Sequence, residues 1–140
     1  MIRILLRRSF TLLRRTVCIF GDKEVVIPAL TDPEIGDNTH TRDPKVWKGS
    51  DAWYMVLGST TKDHKGEALF YKSEDLSHWR LAGQATTKQK LGWMWECPDL
   101  FNVNGRSVFV FSPMELIEDT DGYADRAICM LPEFDEKTCT

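Results

Sequence analysis

A repeat with an offset of 54 residues constrains the fold of this chain more than any other feature. Residues 42–47 align on residues 96–101 without a gap, and in the same register residues 53–59 align on residues 107–113. Short strands and tight turns that recur at this spacing are typical of β-propeller blades, whose first strands line a central channel. The sequence therefore predicts an all-β fold that is part of a β-propeller.

Each copy of the repeat is predicted to form one blade. The first candidate blade spans about residues 42–81 and contains a hairpin turn at residues 48–51. The second begins at residue 96, turns at Asn104 and Gly105, and continues to about residue 131. Because a propeller has about four to eight blades, two blades cannot close the ring. We therefore expect a propeller fragment of about two blades.

The composition is ordinary for a soluble domain. Of the 140 residues, 42% are apolar and 28% are charged, and no apolar segment is long enough to cross a membrane. The net charge of −3 does not indicate binding to nucleic acid, which requires a clustered basic surface. The four cysteines are scattered without a C-x-x-C pair, which predicts free thiols, no metal site and a cytoplasmic location.

Residues 1–22 differ from the rest of the chain, because five arginines precede the first acidic residue. Pairs of arginines interrupt the apolar stretch that a secretory signal requires. A membrane-surface helix and an organelle-targeting peptide are alternatives, since some apolar residues could share a helical face. We favour a basic extension that is not part of the fold, with residues 23–140 as the domain. Within that domain, residues 31–38 are predicted to be a plain connector.

Two acidic residues are predicted at the starts of equivalent strands. Asp43 and Glu96 should face the same end of the channel, so we expect their carboxyl groups to converge. Paired carboxylates in a cleft are typical of glycosidic bond cleavage. Glu96 is the better candidate for the proton donor, because the bulky apolar residues at 93–95 would disfavour its ionised form. Asp43 follows Arg42, whose charge would favour the carboxylate.

The residues around these two acids resemble a known enzyme family. Arg-Asp-Pro-Lys at residues 42–45, followed by Trp47, and Glu-Cys-Pro-Asp at residues 96–99 are similar to the second and third signature motifs of the glycoside hydrolase family 32 β-fructofuranosidases. That family includes invertases, sucrose-6-phosphate hydrolases and levanases. The resemblance covers roughly residues 25–131. It implies a five-bladed propeller that carries the active site, followed by a β-sandwich, and hydrolysis of terminal β-D-fructofuranosides such as sucrose.

By position, the resemblance implies roles for five residues. Glu96 matches the general acid/base, and Asp43 matches the transition-state stabiliser that grips the hydroxyl groups of fructose. Arg42 and Trp95 are implied to bind substrate, together with Cys97, which matches a residue thought to tune the acid. The expected substrate is a fructose-containing sugar, and no cofactor or metal is expected.

The chain departs from the family pattern at the nucleophile. In the family, the nucleophile is the aspartate of a Trp-x-Asn-Asp-Pro-Asn-Gly motif, which this sequence lacks. The other Asp-Pro pair, Asp32 and Pro33, lacks the Asn before it and the Asn-Gly after it, and Thr41 stands where an aromatic is common. We therefore expect that the chain alone does not hydrolyse fructosides, and that it associates with a complementing fragment or forms an oligomer.

Two other functions remain open at this point. A family 43 glycosidase would place its acids similarly, although it lacks the Glu-Cys-Pro-Asp run. A non-catalytic carbohydrate-binding module would use Trp47, Trp93 and Trp95 to stack on sugar faces. Sugar binding without turnover would identify such a module.

Overall fold

The protein, seen as a computed structural model, consists of β-strands joined by turns and loops. The structure describes the backbone of residues 2–12, 15–116, 118–119, 122–123, 126–135 and 139, and the side chains of residues 25–116, 126–135 and 139. The strands are β1 (Ile2–Leu12), β2 (Arg15–Ile27), β3 (Arg42–Lys48), β4 (Trp53–Thr60), β5 (Gly66–Ser73), β6 (Arg80–Thr86), β7 (Trp95–Val103), β8 (Arg106–Pro113), β9 (Glu118–Asp119), β10 (Gly122–Tyr123) and β11 (Ile128–Met130). Over these residues there is no helix, and so none that could span a membrane. The prediction of an all-β fold is confirmed.

The first predicted blade is a four-stranded antiparallel sheet. Its strands lie in the order β3, β4, β5, β6, so each strand pairs with its neighbour in the chain. The turn between β3 and β4 is closed by a hydrogen bond of 2.9 Å from the N–H of Gly49 to the carbonyl oxygen of Ala52. The sheet continues past the predicted boundary at residue 81, because β6 extends to Thr86.

The second predicted blade is a three-stranded sheet in the order β11, β8, β7. The turn between β7 and β8 contains Asn104 and Gly105, which have positive φ values of 51° and 81°. Positive φ at both central residues is what a type I′ hairpin turn requires. β11 lies within the predicted range of this blade and pairs with β8. No fourth strand joins this sheet among the residues that the structure describes.

The core has two layers, one on each face of the first sheet. Adjacent residues of a strand point to opposite faces, so β4 and β5 contribute to both layers. The layer between the two sheets includes Tyr54, Val56, Phe70, Trp95, Phe109 and Phe111. The layer on the other face includes Val26, Ile27, Met55, Leu57, Leu69 and Tyr71. The first sheet is therefore covered on both sides, and β7 packs directly against it.

Two glycines allow this close packing of the sheets. A Cβ atom at Gly58 would overlap the carbonyl oxygen of Trp95, and a Cβ at Gly66 would overlap the indole ring of the same residue. Any other residue at either position would push β7 away from the first sheet, because backbone and a buried ring cannot move aside cheaply. Gly58 is also the partner of Arg42 in the pairing of β3 with β4. The packing of β7 is thus coupled to the start of β3.

The N-terminal residues form a hairpin in which β1 pairs with β2. β1 is a strand, so the alternative of a surface helix in this region is wrong. The predicted boundary at residue 22 falls inside β2, which continues without interruption to Ile27. At the end of β2, Val26 and Ile27 are buried against the first sheet. The division of the chain into an extension and a domain stays a prediction.

Candidate active site

The two motif segments begin β3 and β7 and share one backbone irregularity. The register of β3 against β4 shifts within residues 42–45, and the register of β7 against β8 shifts within residues 96–99. Each shift contains a residue with positive φ, which is 58° at Asp43 and 48° at Cys97. Such a bulge bends its strand and redirects the side chains around it. Both strands therefore begin with the same kind of β-bulge.

Residues 54 positions apart contact each other across the two sheets. Arg42 donates from Nη2 to Oε1 of Glu96 over 2.8 Å, and from Nε to the same oxygen over 3.2 Å. One residue further along both strands, the N–H of Cys97 donates to Oδ2 of Asp43 over 3.0 Å. The carboxyl groups of Asp43 and Glu96 are thus engaged in adjacent contacts of one interface. This agrees with the expectation that the two carboxyls converge.

The surroundings of Glu96 differ from the prediction. Met94 and Trp95 are buried in the core, whereas the side chain of Glu96 is 37% exposed and contacts Arg42. The expectation that apolar neighbours enclose Glu96 is wrong. Trp95, its neighbour in β7, points to the opposite face of the strand, and Met94 is buried just before the strand begins. Arg42 makes its ion pair with Glu96, and its expected action on Asp43, its neighbour in sequence, stays a prediction. Among the described residues, Oε2 of Glu96 has no hydrogen-bonding partner.

Cys97 holds the carboxylate of Asp43 with two groups. Its backbone N–H donates to Oδ2 over 3.0 Å, and its Sγ lies 3.7 Å from the same oxygen. Partial burial raises the pKa of the Cys97 thiol, and the charge of Asp43 raises it further. A thiol that keeps its proton can donate it in a hydrogen bond to a carboxylate. Oδ1 of Asp43 has no such partner in the part of the chain described, so it is available to a ligand.

Trp95 does not lie where the sequence-based role requires it. Its ring is 2% exposed, stacks on Phe111 with ring centroids 4.1 Å apart, and donates from Nε1 to the carbonyl oxygen of Leu91 over 2.7 Å. The prediction that Trp95 binds substrate is therefore corrected, because a ring enclosed in the core cannot stack on a sugar. Trp47 is also occupied, since it stacks on Tyr54 with centroids 5.6 Å apart.

Trp93 is the aromatic of this group that lies next to the motif contacts. Its ring is half-buried and meets the imidazole of His40 edge-on, with centroids 4.9 Å apart. The backbone N–H of Trp93 donates to the carbonyl oxygen of Met114 over 3.1 Å, and the sulfur of Met114 lies 3.4 Å from Nη2 of Arg42. One residue thus separates Trp93 from the contact between Arg42 and Glu96.

A polar group behind β3 was not predicted from the sequence. The Oγ1 of Thr41 donates to the carbonyl oxygen of Asp37 over 2.6 Å and lies 2.8 Å from Oγ of Ser59. Next to Ser59 in the sheet, Glu67 is only 4% exposed. Burial raises the pKa of Glu67 to about 7, and a hydrogen bond with Ser59 offsets part of this effect. A glutamate inside an apolar strand was the signal that could have revealed this group.

The connector at residues 31–38 also does more than was predicted, because Asp37 anchors the residue that precedes Arg42. Oδ1 of Asp37 accepts the backbone N–H groups of Thr39 and His40 over 2.8 and 2.9 Å. Asp32 has a simpler role, since it is exposed and its Oδ1 accepts the N–H of Glu34 over 2.9 Å. No cluster of three or more His, Cys, Asp or Glu residues suited to a metal occurs in the described residues.

Comparison with known proteins identifies the family behind these motifs. Residues 15–139 match the family model described as the glycosyl hydrolases family 32 N-terminal domain. The chain belongs to glycosyl hydrolase family 32. Related sequences include the sucrose-6-phosphate hydrolases of Bacillus subtilis (strain 168), 41% identical over 107 residues, and of Vibrio alginolyticus, 52% identical over 75 residues. The alignments cover 73% and 53% of this chain, but only 21% and 16% of the two relatives.

Solved structures of family 32 agree with this assignment. The Bombyx mori GH32 β-fructofuranosidase BmSUC1 aligns with 98% of this chain at a TM-score of 0.71 and 29% identity, and the aligned part is 32% of that enzyme. A mutant of BmSUC1 in complex with sucrose aligns at a TM-score of 0.68 and 30% identity. The prediction of a β-propeller fragment is thereby confirmed. The chain spans about a fifth of the length of the curated family 32 relatives it matches.

Proposed function

We propose that this chain supplies the acid/base and the transition-state stabiliser of a family 32 active site that hydrolyses β-D-fructofuranosides such as sucrose or its phosphate ester. The observation that carries this proposal is the pair of matched bulges, which places the contacts of Glu96 and Asp43 side by side. Support for the substrate class comes from relatives named sucrose-6-phosphate hydrolase and from a similar enzyme in complex with sucrose.

Glu96 has the geometry of a positioned general acid/base. Arg42 engages one carboxylate oxygen through two N–H groups, which fixes the orientation of the side chain. The other oxygen, Oε2, can then exchange a proton with the leaving group or with water. Proton transfer to the glycosidic oxygen neutralises the leaving alkoxide as the bond to the anomeric carbon breaks.

Asp43 is suited to a different task. Its Oδ2 is held by Cys97, and the remaining oxygen can accept hydrogen bonds from hydroxyl groups of the fructose ring. A carboxylate so placed also stabilises the positive charge that develops on the sugar in an oxocarbenium-like transition state. The second interaction is stronger in the transition state than in the bound substrate, which is the condition for a gain in rate.

A retaining reaction also needs a nucleophilic carboxylate about 5–5.5 Å from the acid/base. Asp32 is not assigned to this role, because its carboxylate closes the exposed turn at Glu34. We therefore propose that another part of a propeller supplies the nucleophile, as a complementing fragment or within an oligomer. A cytoplasmic location is also part of the proposal, in line with the free thiols of Cys97, Cys129 and Cys139 among the described residues.

The test is a chimera in which residues 25–131 replace the aligned segment of the Bacillus subtilis relative, so that the relative supplies the remaining blades. We expect the folded chimera to release fructose from sucrose or sucrose 6-phosphate, and a matched Glu96→Gln chimera to lose that activity. The 140-residue chain alone should release none. A folded chimera that hydrolyses no fructoside would overturn the proposal, and fructose release by the chain alone would point to a nucleophile within it.

A second candidate, carbohydrate binding without catalysis, is favoured by one observation, the position of Trp93 beside the motif contacts. Aromatic faces bind sugar rings through their apolar C–H surfaces. Calorimetric titration of the chain with fructose and sucrose, alongside a Trp93→Ala variant, would detect this function. The family 43 alternative is wrong, because the chain belongs to family 32.

A further inference from the structure

A third contact joins the two motifs. Nζ of Lys45 lies 2.9 Å from Oδ2 of Asp99, and these residues are also 54 positions apart. They follow the two bulges directly, whereas the ion pair of Arg42 with Glu96 precedes them. Each bulge therefore lies between two ion pairs that connect the sheets.

The bulges need such support because they contain unfavourable backbone conformations. Asp43 and Cys97 both have positive φ, at 58° and 48°. For residues with a side chain this region is sparsely populated, and it persists only where the surrounding contacts hold it. If the contacts were lost, the bulges could relax and the contact between Asp43 and Cys97 would open.

The two ion pairs are not equivalent as supports. Arg42 and Glu96 both belong to the proposed sugar chemistry, whereas Lys45 and Asp99 do not. An exposed ion pair contributes little, and the side chains of Lys45 and Asp99 are 48% and 37% exposed. Oδ1 of Asp99, however, is buried without a partner among the described residues, so Lys45 is the group that balances the charge of this carboxylate.

We propose that Lys45 and Asp99 form a positioning pair that locks the two bulges in register and so holds Asp43 and Cys97 together beside Glu96. Neither residue contacts the sugar in this proposal. The effect of this pair on hydrolysis rests on the proposed function. Its effect on the position of the Cys97 thiol does not. A measurement on that thiol therefore separates failure of this inference from failure of the proposed activity.

The experiment follows alkylation of Cys97 by iodoacetamide at pH 8 in the 140-residue chain, with peptide mass spectrometry to resolve each cysteine. The exposed Cys129 in β11 is the internal reference. In Lys45→Gln, release of Asp43 lowers the pKa of the Cys97 thiol, so alkylation should be about threefold faster or more. Direct loss of the lysine charge would have the opposite effect, because a nearby cation favours the thiolate.

Two further variants complete the test. Lys45→Arg keeps the cation and should alkylate like the parent chain, whereas Lys62→Gln breaks the exposed ion pair with Glu34 and should change nothing at Cys97. Lys45→Gln that does not fold, while Lys45→Arg does, supports the inference as well. The inference is overturned if folded Lys45→Gln alkylates at the parental rate or more slowly, or if Lys45→Arg behaves like Lys45→Gln.

Discussion

The starts of β3 and β7 have the same backbone but carry different chemistry. Both contain a bulge at the same place, yet Arg42 and Asp43 in one strand correspond to Glu96 and Cys97 in the other. The two carboxylates of the proposed function therefore come from non-equivalent positions, one before its bulge and one within it. Each acid contacts a residue of the other copy of the repeat, Glu96 with Arg42 and Asp43 with Cys97. A repeated backbone thus sets the geometry, and differences between the side chains assign the roles.

The largest expected effect comes from removing the acid of the second motif. In the chimera, Glu96→Gln should slow hydrolysis of sucrose by about 10²- to 10⁴-fold, because protonation of a poor leaving group is lost. A substrate with an activated aryl leaving group should be affected much less, since it departs without a proton. Steady-state rates on the two substrates provide the measurement. Equal losses on both would contradict the assignment of Glu96 as the proton donor.

The acid of the first motif should respond differently. Asp43→Asn should slow hydrolysis by about 10²- to 10³-fold, because it removes charge stabilisation from the transition state. The loss should be the same for sucrose and for the aryl substrate, since both present the same fructose ring. The comparison is made on the same pair of substrates in the same chimera. If Asp43→Asn spared the aryl substrate, the two motifs would not have separate roles.

A substitution at Gly58 tests whether the backbones of the two sheets are equivalent at this point of the repeat. This residue pairs with Arg42 in the first sheet, and its counterpart Ser112 pairs with Glu96 in the second. Gly58→Ala should destabilise the chain by about 1–3 kcal/mol, because the new methyl group would overlap the Trp95 carbonyl. The matched Ser112→Ala should cost less, since it only removes an atom. Urea unfolding of both variants measures the difference. An equal loss of stability would show that the close contact of Gly58 with Trp95 does not exclude a side chain at residue 58.

The smallest expected effect is the pH dependence of stability due to Glu67, which lies in β5 of the first sheet. Burial raises its pKa from 4.5 to about 7, so the folded state keeps a proton that the unfolded state has lost. The free energy of unfolding should therefore fall as pH rises from about 4.5 to about 7, and then level off. Glu67→Gln should remove this slope and be more stable than the parent at pH 8 by about 1–2 kcal/mol.

Unfolding at pH 4, 6 and 8 tests this prediction, with Glu74→Gln as the exposed control from the turn after β5. Glu74→Gln should follow the parent at every pH. A Glu67→Gln variant whose stability has the parental slope between pH 4 and pH 8 would show that Glu67 is ionised in the folded state.

The positions of the strands and turns could largely be predicted, because they depend on local patterns. Apolar runs at the repeat spacing marked β4 and β8, and Asn104 with Gly105 marked a turn whose backbone few other residue pairs adopt. The end of the first blade was less accurate, since β6 continues past residue 81 to Thr86. Strand ends are decided by neighbouring strands, and the local sequence carries little information about them.

The contents of the site show the limit of local reasoning. Glu96 was expected among apolar side chains because its neighbours in sequence are apolar, but β7 turns Trp95 to the opposite face and Glu96 contacts Arg42. Trp95 was assigned to a sugar from its place beside the second motif, but its ring lies in the core. The polar group of Thr41, Ser59 and Glu67 joins a loop to two strands, and although the glutamate in an apolar strand signals it, the sequence does not indicate the partners.

The sequence by itself determined the strand pattern, the repeat and the identity of the two motifs, because these depend on residue types and their order. The repeat even contained the correct contact partners, since residues 54 positions apart proved to touch. Only the tertiary structure decided that Arg42 pairs with Glu96 and that Cys97 holds Asp43. The reason is physical, because the partners of a side chain depend on which face of a bulged strand it leaves and on which sheet packs against that face.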